Sequence, residues 1–102
     1  ETIPAKELDQ YVHDLRVLIV DLRIEEEYEA GHIAGALNVP PQEFELLRPG
    51  KDRLLILYCD RGGFSLEAAR RMDEKGYQVK SVVGGYRAYR GRNIVAGRYP
   101  DI

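Results

Sequence analysis

Cys59 is the single cysteine of the chain, and two glycines follow it within four positions in "YCDRGGFS", Tyr58 to Ser65. A lone thiol forms no intramolecular disulfide, so it serves either as a small apolar plug or as a nucleophile. Its neighbours favour the nucleophile. "RLLILYC" before it is an unbroken apolar run and "SLEAARRMDEK" after it has helical spacing, which puts the thiol at a strand-to-helix turn. Gly62 and Gly63 are expected to take left-handed backbone and let successive amides converge as an anion-binding cup. The opening turn of the next helix adds unpaired N–H donors and the positive end of its dipole. Donors aimed at a sulfur stabilise negative charge on it and so favour the reactive thiolate. Arg61 is a reasonable partner for an anionic substrate. Asp60, whose carboxylate works against a thiolate, is expected to point away to solvent. Phosphate-ester chemistry of the Cys-x5-Arg kind is the nearest competing reading and fits poorly, because it needs an arginine to fork onto phosphate and the sixth residue after Cys59 is Ser65.

A thiol can be held this way only by a scaffold that fixes the end of its strand. "RVLIVDL" (Arg16 to Leu22) and "RLLILYC" (Arg53 to Cys59) lack polar alternation, as expected of central strands covered on both faces. "QVKSVV" (Gln78 to Val83) is a third strand candidate, "ALNV" a short fourth, and "TI" before Pro4 an edge piece. Helical stretches lie between them: "AKELDQYV", with Leu8, Tyr11 and Val12 on one face; "IEEEYEA", stopped by Gly31; and "PQEFELLR", stopped before Pro49. In "SLEAARRMDEK", Leu66, Ala69 and Met72 are expected to share the buried face, Ser65 to cap the start and Gly76 to end it. Strands alternating with helices predict an α/β layered domain with right-handed crossovers. Ligands bind such sheets beyond the carboxyl ends of the strands, where Cys59 lies.

The 102 residues, 44% apolar and 31% charged, suit one globular domain spanning 1–102. No apolar run is long enough to cross a bilayer, and the N-terminus lacks the pattern of a secretion signal. With one cysteine, a reducing compartment is the simpler setting, so a cytoplasmic protein without membrane contact is expected. Charge is lopsided: residues 1–52 carry 5 basic and 12 acidic side chains, residues 53–100 carry 10 and 4. Basic groups on one face of the cysteine-bearing half would concentrate anions near the thiol.

Two ordered motifs resemble the rhodanese (sulfurtransferase) family over nearly the whole chain. "DLRIEEEYEAGHIAGALNVP" (Asp21 to Pro40) is similar to that family's D-x-R, E-[YF] and G-H-I-x-G-A-x-N-[VI]-P signature. "CDRGGFSLEAARRMDEKGYQVKSVVGG" (Cys59 to Gly85) is similar to its C-x-x-G, A-A, G-[YF] and G-G half. The resemblance implies an α/β, rhodanese-like fold with a five-stranded, mostly parallel central sheet flanked by helices. It implies that Cys59 takes the outer sulfur of thiosulfate or another persulfide donor, becomes a persulfide, and passes the sulfur to a thiol or cyanide. A small anionic donor and a protein thiol acceptor are the implied partners, with neither metal nor organic cofactor and no nucleic acid. The binding loop carries over onto Asp60, Arg61, Gly62, Gly63, Phe64 and Ser65, whose amides would hold the persulfide. Asp21 would support that loop from a neighbouring strand, and Arg23 is expected to pair with Glu27 or Glu29. His32 is expected to organise its turn rather than act as a base, and His13 to be a surface residue.

The chain departs from the family pattern at several points. Ala34 replaces the usual proline, Tyr89 stands where tryptophan is common and adds a hydroxyl that needs a partner, and the tail "GRNIVAGRYPDI" lacks the customary close. Phe64 is bulkier than usual, which would narrow the pocket or offer an apolar contact. A non-catalytic interaction or regulatory module on the same fold is the alternative reading. "RGG" with "GGYRAYRG" is also similar to the rhodanese part of tRNA 2-selenouridine synthases, but no phosphate-binding G-x4-G-K-[ST] loop occurs.

Overall fold

A run of apolar side chains on both sides of a backbone can be buried only if both faces of its sheet are covered. The two unbroken runs accordingly form adjacent central strands. A computed structural model of the chain describes residues 1–97. In chain order the elements are β1 (Thr2–Pro4), β2 (Val17–Asp21), α1 (Glu25–Ala30), β3 (His32–Ile33), β4 (Leu37–Asn38), β5 (Leu54–Tyr58), α2 (Gly63–Glu74), β6 (Val79–Val83) and β7 (Ile94–Val95). Five strands make one sheet in the order β1-β6-β5-β2-β4, and every pairing in it is parallel. The expected α/β architecture with a five-stranded central sheet and flanking helices is therefore the one found. β2 and β5 pair along their whole length, from Val17 opposite Leu54 to Asp21 opposite Tyr58.

Alternation of side chains across the sheet divides the core into two layers. From β5, Ile56 and Tyr58 join Ile3, Leu8, Tyr28 and Ile33 on one side. Leu55 and Leu57 join Phe44, Ala68, Ala69 and Met72 on the other, under α2. The buried face of α2 is Ser65, Ala68, Ala69 and Met72. Leu66, expected on that face, is exposed instead. The helix begins at Gly63, two residues before the predicted start, so Ser65 lies inside its first turn and is not the cap. Gly76 follows the helix in left-handed backbone at φ 94°, as a helix-ending glycine should.

Two predicted helices, over residues 5–12 and 41–48, are instead shorter, tight 3-10 segments, Ala5–Gln10 and Pro41–Leu46. Each is too short to gain much from α-helical cooperativity. A second sheet was not foreseen: β3 pairs antiparallel with β7, His32 opposite Val95 and Ile33 opposite Ile94. The Ala34 amide continues this contact by donating to the Asn93 carbonyl at 2.9 Å. A proline at 34 has no N–H to give, so the departure from the common motif serves a bond that this chain makes. The last residues of the tail, 98–102, lie outside the described part of the chain.

The topology places a crevice at one point. After β2 the chain runs outward to β4, and after β5 it runs outward in the opposite direction to β6. The reversal falls between β2 and β5, and the segments leaving their carboxyl ends diverge there.

Candidate active site

Cys59 follows β5 directly and is buried, with 7% of its surface accessible. The amide of Gly62 donates to its Sγ at 3.1 Å and the amide of Ser65 at 3.3 Å. Both donors come from the loop and first turn of α2, where no intrahelical acceptor competes for them. Gly62 makes the turn possible. Its φ is 104°, and a Cβ there would stand 3.0 Å from the Gly84 nitrogen. Gly63 behaves differently from expectation: it is the first residue of α2, its φ is not positive, and a Cβ would meet nothing within 4 Å. Only one of the two glycines therefore shapes the loop. The Ser65 hydroxyl donates to the Gly62 carbonyl at 3.2 Å and meets the Ser81 hydroxyl of β6 at 3.0 Å, tying the first turn to the sheet.

A segment that sequence reasoning did not weigh holds the loop from below. Gly85 has φ 64°, and a Cβ on it would lie 2.5 Å from the Cys59 carbonyl oxygen and 2.6 Å from that of Asp60. The Tyr86 amide donates to the Cys59 carbonyl at 2.8 Å and the Arg87 amide to the Asp60 carbonyl at 3.1 Å. The signal was present as the paired glycines Gly84 and Gly85 after β6, since two left-handed positions in a row mark a close backbone approach. Asp60 does not point to open solvent. Its carboxylate accepts from Arg87 Nε at 2.8 Å and lies 3.7 Å from Arg61 Nε.

The opposite wall is set by buried charge. Asp21 is fully buried at the end of β2, and its carboxylate accepts from the Arg23 amide at 2.9 Å, from Arg23 Nε at 3.0 Å and from Nη2 at 2.8 Å. Arg23 thus pairs with Asp21, two residues away, and not with Glu27 or Glu29. Its Nη2 also donates to the Gly31 carbonyl at 2.6 Å, and the guanidinium lies 3.9 Å from the Tyr86 ring centre. Burial works against the Arg23 charge, but the hydrogen bonds and field of Asp21 outweigh it and hold its pKa up. The Tyr58 hydroxyl donates to Asp21 at 2.6 Å and accepts from the Ile33 amide at 3.1 Å. Burial first and the Asp21 charge second push its pKa up, so it remains a donor.

Between these walls lies a pocket of about 540 Å³ whose lining includes Cys59, Asp60, Arg61, Gly63 and Phe64 from the loop and Leu22, Arg23 and Ile24 from the segment after β2. Glu27 and Pro41 complete it. Asp21, Gly62 and Ser65 stand behind the lining. The expected loop residues are thus brought together, and Asp21 and Arg23 support the facing wall. His32 is fully buried away from this lining, stacked on Tyr28 at 3.6 Å, with Nδ1 donating to the Tyr28 carbonyl at 2.8 Å. It organises the turn, as expected, and His13 is exposed.

Residues 4–92 match the rhodanese-like domain family. The chain belongs to that family. This rhodanese-like domain is 35% identical over 92 residues to a tRNA sulfurtransferase of Desulfurococcus amylolyticus, covering 88% of this chain and 18% of that protein. It is 32% identical over 98 residues to a tRNA uridine(34) hydroxylase of Photorhabdus laumondii, covering 87% of this chain and 28% of the other. The chain therefore spans less than a third of these curated relatives. A solved structure of rhodanese with anions from E. coli superposes with a TM-score of 0.66 at 28% identity, over 79% of this chain and 99% of that one. Among the described residues, no group of three or more His, Cys, Asp or Glu side chains could hold a metal ion. No helix among them is long and apolar enough to cross a membrane.

Proposed function

We propose that this domain is a sulfurtransferase in which the Cys59 thiolate attacks the outer sulfur of a sulfane donor. For thiosulfate, the bond from that sulfur to the sulfonate breaks and sulfite leaves with the electron pair. Cys59 is left as a persulfide. A nucleophilic thiol, free or on a protein, or cyanide then takes the outer sulfur and restores the thiolate. The amides of Gly62 and Ser65 hold the Cys59 sulfur, and the open first turn of α2 supports charge on the transferred one. Asp60, Arg61 and Phe64 carry the remaining loop amides around the sulfur and shape its approach. No metal, organic cofactor or nucleic acid enters this scheme. The tRNA in the relatives' names belongs to proteins several times longer than the segment matched.

One observation carries the reading: two main-chain donors converge on a thiol at the inner end of an accessible pocket. A non-catalytic interaction module of the same fold has no use for donors aimed at sulfur. Thiosulfate:cyanide turnover of the wild type beside Cys59→Ala, with the mass of each protein after exposure to thiosulfate and to organic persulfides, separates the two. The expected result is the gain of one sulfur atom at Cys59 and loss of turnover in the variant. Equal turnover in both, or no sulfur gained from any donor, would favour the module.

A further inference from the structure

The pocket over Cys59 is larger and less cationic than a small inorganic donor needs. Its volume of about 540 Å³ is in the range of pockets that enclose organic ligands, whereas thiosulfate is a compact dianion. The charged side chains of its lining are Arg23 and Arg61 against Glu27 and Asp60. Arg23 is committed to Asp21, the Gly31 carbonyl and the Tyr86 ring, and Arg61 is within 3.7 Å of Asp60. The Glu27 carboxylate has no ion pair or hydrogen bond among the described residues. Part of the basic surplus expected to draw anions is also paired elsewhere: Arg70 with Glu67, Arg71 with Glu45 and Glu67, and Lys80 with Glu1. Arg61, 75% exposed and 3.7 Å from an Asp60 carboxylate already bound by Arg87, is the one lining cation left to answer a second negative charge on a donor, and Glu27 stands against it.

The remaining wall is apolar. Leu22 is buried beneath it, while Ile24 and Phe64 are 46% and 39% exposed beside Pro41. Phe64 packs in a T-shaped pair with the buried Phe44 ring at 6.0 Å between centres, so its place in the lining is fixed by packing. Accessible apolar surface converging on a nucleophile can bind the carbon part of a substrate.

We propose that the pocket selects organic sulfane donors with at most one negative charge, R–SO2–S⁻ or R–S–SH, whose apolar R group rests against Ile24, Pro41 and Phe64, and that it disfavours the dianion thiosulfate. This rests on the sulfurtransferase reading above. With a thiosulfonate, Cys59–S⁻ forms a bond to the outer sulfur, the S–SO2R bond breaks, and the sulfinate R–SO2⁻ leaves with the electron pair. With a persulfide, the S–S bond of R–S–SH breaks, R–S⁻ leaves, and the proton stays on the transferred sulfur. Neither step consumes an oxidant or a reductant.

The test compares benzenethiosulfonate, methanethiosulfonate and thiosulfate as donors, read as kcat/KM for sulfur loading of Cys59. Intrinsic reactivity differs among them, so the readout is how donor ratios change between wild type and variants. Phe64→Ala and Ile24→Ser are each expected to lower the benzene-to-methane ratio by about fivefold to tenfold, the effect of baring part of a ring-sized apolar contact. Glu27→Gln is expected to raise the thiosulfate-to-methanethiosulfonate ratio roughly twofold to fivefold at low salt, the gain shrinking as ionic strength rises. Ile24 is exposed, so Ile24→Ser decides the matter if Phe64→Ala does not fold. A benzene-to-methane ratio equal in wild type and the folded wall variants overturns the proposal while leaving the sulfurtransferase intact. If no donor adds sulfur to Cys59, the sulfurtransferase reading itself has failed.

Discussion

The two segments that enclose the pocket leave neighbouring strands and are held in opposite ways. The one after β2 is fixed by side chains: Asp21 and Arg23 form a buried, multiply hydrogen-bonded pair, with Tyr58 and the Gly31 carbonyl attached. The one after β5 is fixed by main chain: loop amides bind the sulfur, and the loop carbonyls bind the amides of Tyr86 and Arg87. The side chains of Asp60 and Arg61 pair at the rim of the pocket, Asp60 with both Arg61 and Arg87. A wall built of paired charges cannot change one member without orphaning the other. A loop built of backbone tolerates side-chain change wherever a Cβ fits, which leaves its identities free to set what the pocket accepts.

Removing one member of the buried pair sharpens this contrast most. Asp21→Ala leaves Arg23 charged with its side chain only 5% exposed, and such orphaned charges cost about 3–5 kcal/mol. The expected result is a large fall in the urea midpoint. Asp60→Ala removes the corresponding carboxylate from the other segment, where the Arg87 partner is 61% exposed. That loss is expected to stay within about 1 kcal/mol. Equal losses in the two variants would mean that the segments are not held differently at all.

Within the loop, the glycines divide. Gly85→Ala forces a Cβ against two carbonyl oxygens at a positive φ, and such strain costs on the order of 1–3 kcal/mol. It should also displace the Cys59 carbonyl and lower the rate of sulfur loading. Gly63→Ala places its methyl in open space at the first position of α2, where relief of glycine's conformational freedom is worth up to about 1 kcal/mol. Gly63 lines the pocket, so this variant is expected to melt slightly higher yet show a raised KM for the donor. Thermal melts beside loading kinetics check both. A Gly63→Ala protein less stable than the wild type would show that the first turn is more constrained than its geometry indicates.

How much of this was legible follows from the range of each interaction. The central strands were readable because burial on both faces leaves an unbroken apolar run, and the cysteine turn because glycine, thiol and helix start are contiguous. What failed depended on partners far along the chain or on direction. Arg23 was expected to reach a helical glutamate, but its amide and guanidinium close on Asp21 together, a geometry fixed by the bend after β2. Leu66 has helical spacing from Ala69, yet the sheet lies toward Ser65 and Ala68. The β3 and β7 pair joins segments about sixty residues apart, each too short to carry a strand signal. Tyr89 was expected to need a partner for its hydroxyl, and it has one in Asp9 at 2.5 Å.

That last contact is a part-buried counterpart of the fully buried one between Tyr58 and Asp21, and pH distinguishes their settings. The Tyr89 hydroxyl chiefly, and Asn93 after it, hold the Asp9 carboxyl below its ordinary value of 3.8. A carboxyl depressed in the folded chain binds fewer protons than the unfolded chain does between the two values, so its contribution is present above about pH 4 and fades as pH falls through the folded value. Tyr89→Phe removes the main cause of the depression and also the bond that the hydroxyl accepts from the Asn93 amide. Its stability deficit relative to wild type is therefore expected to be constant above about pH 4 and to shrink below it, while Asn93 preserves a smaller depression. Asp14, held down by Arg16, adds the same acid slope to both proteins and cancels from the difference. Urea midpoints from pH 2 to 7, an interval of about five units spanning both regimes, measure it. A deficit that does not change with pH would place the whole effect in the Asn93 amide bond and leave Asp9 without a share.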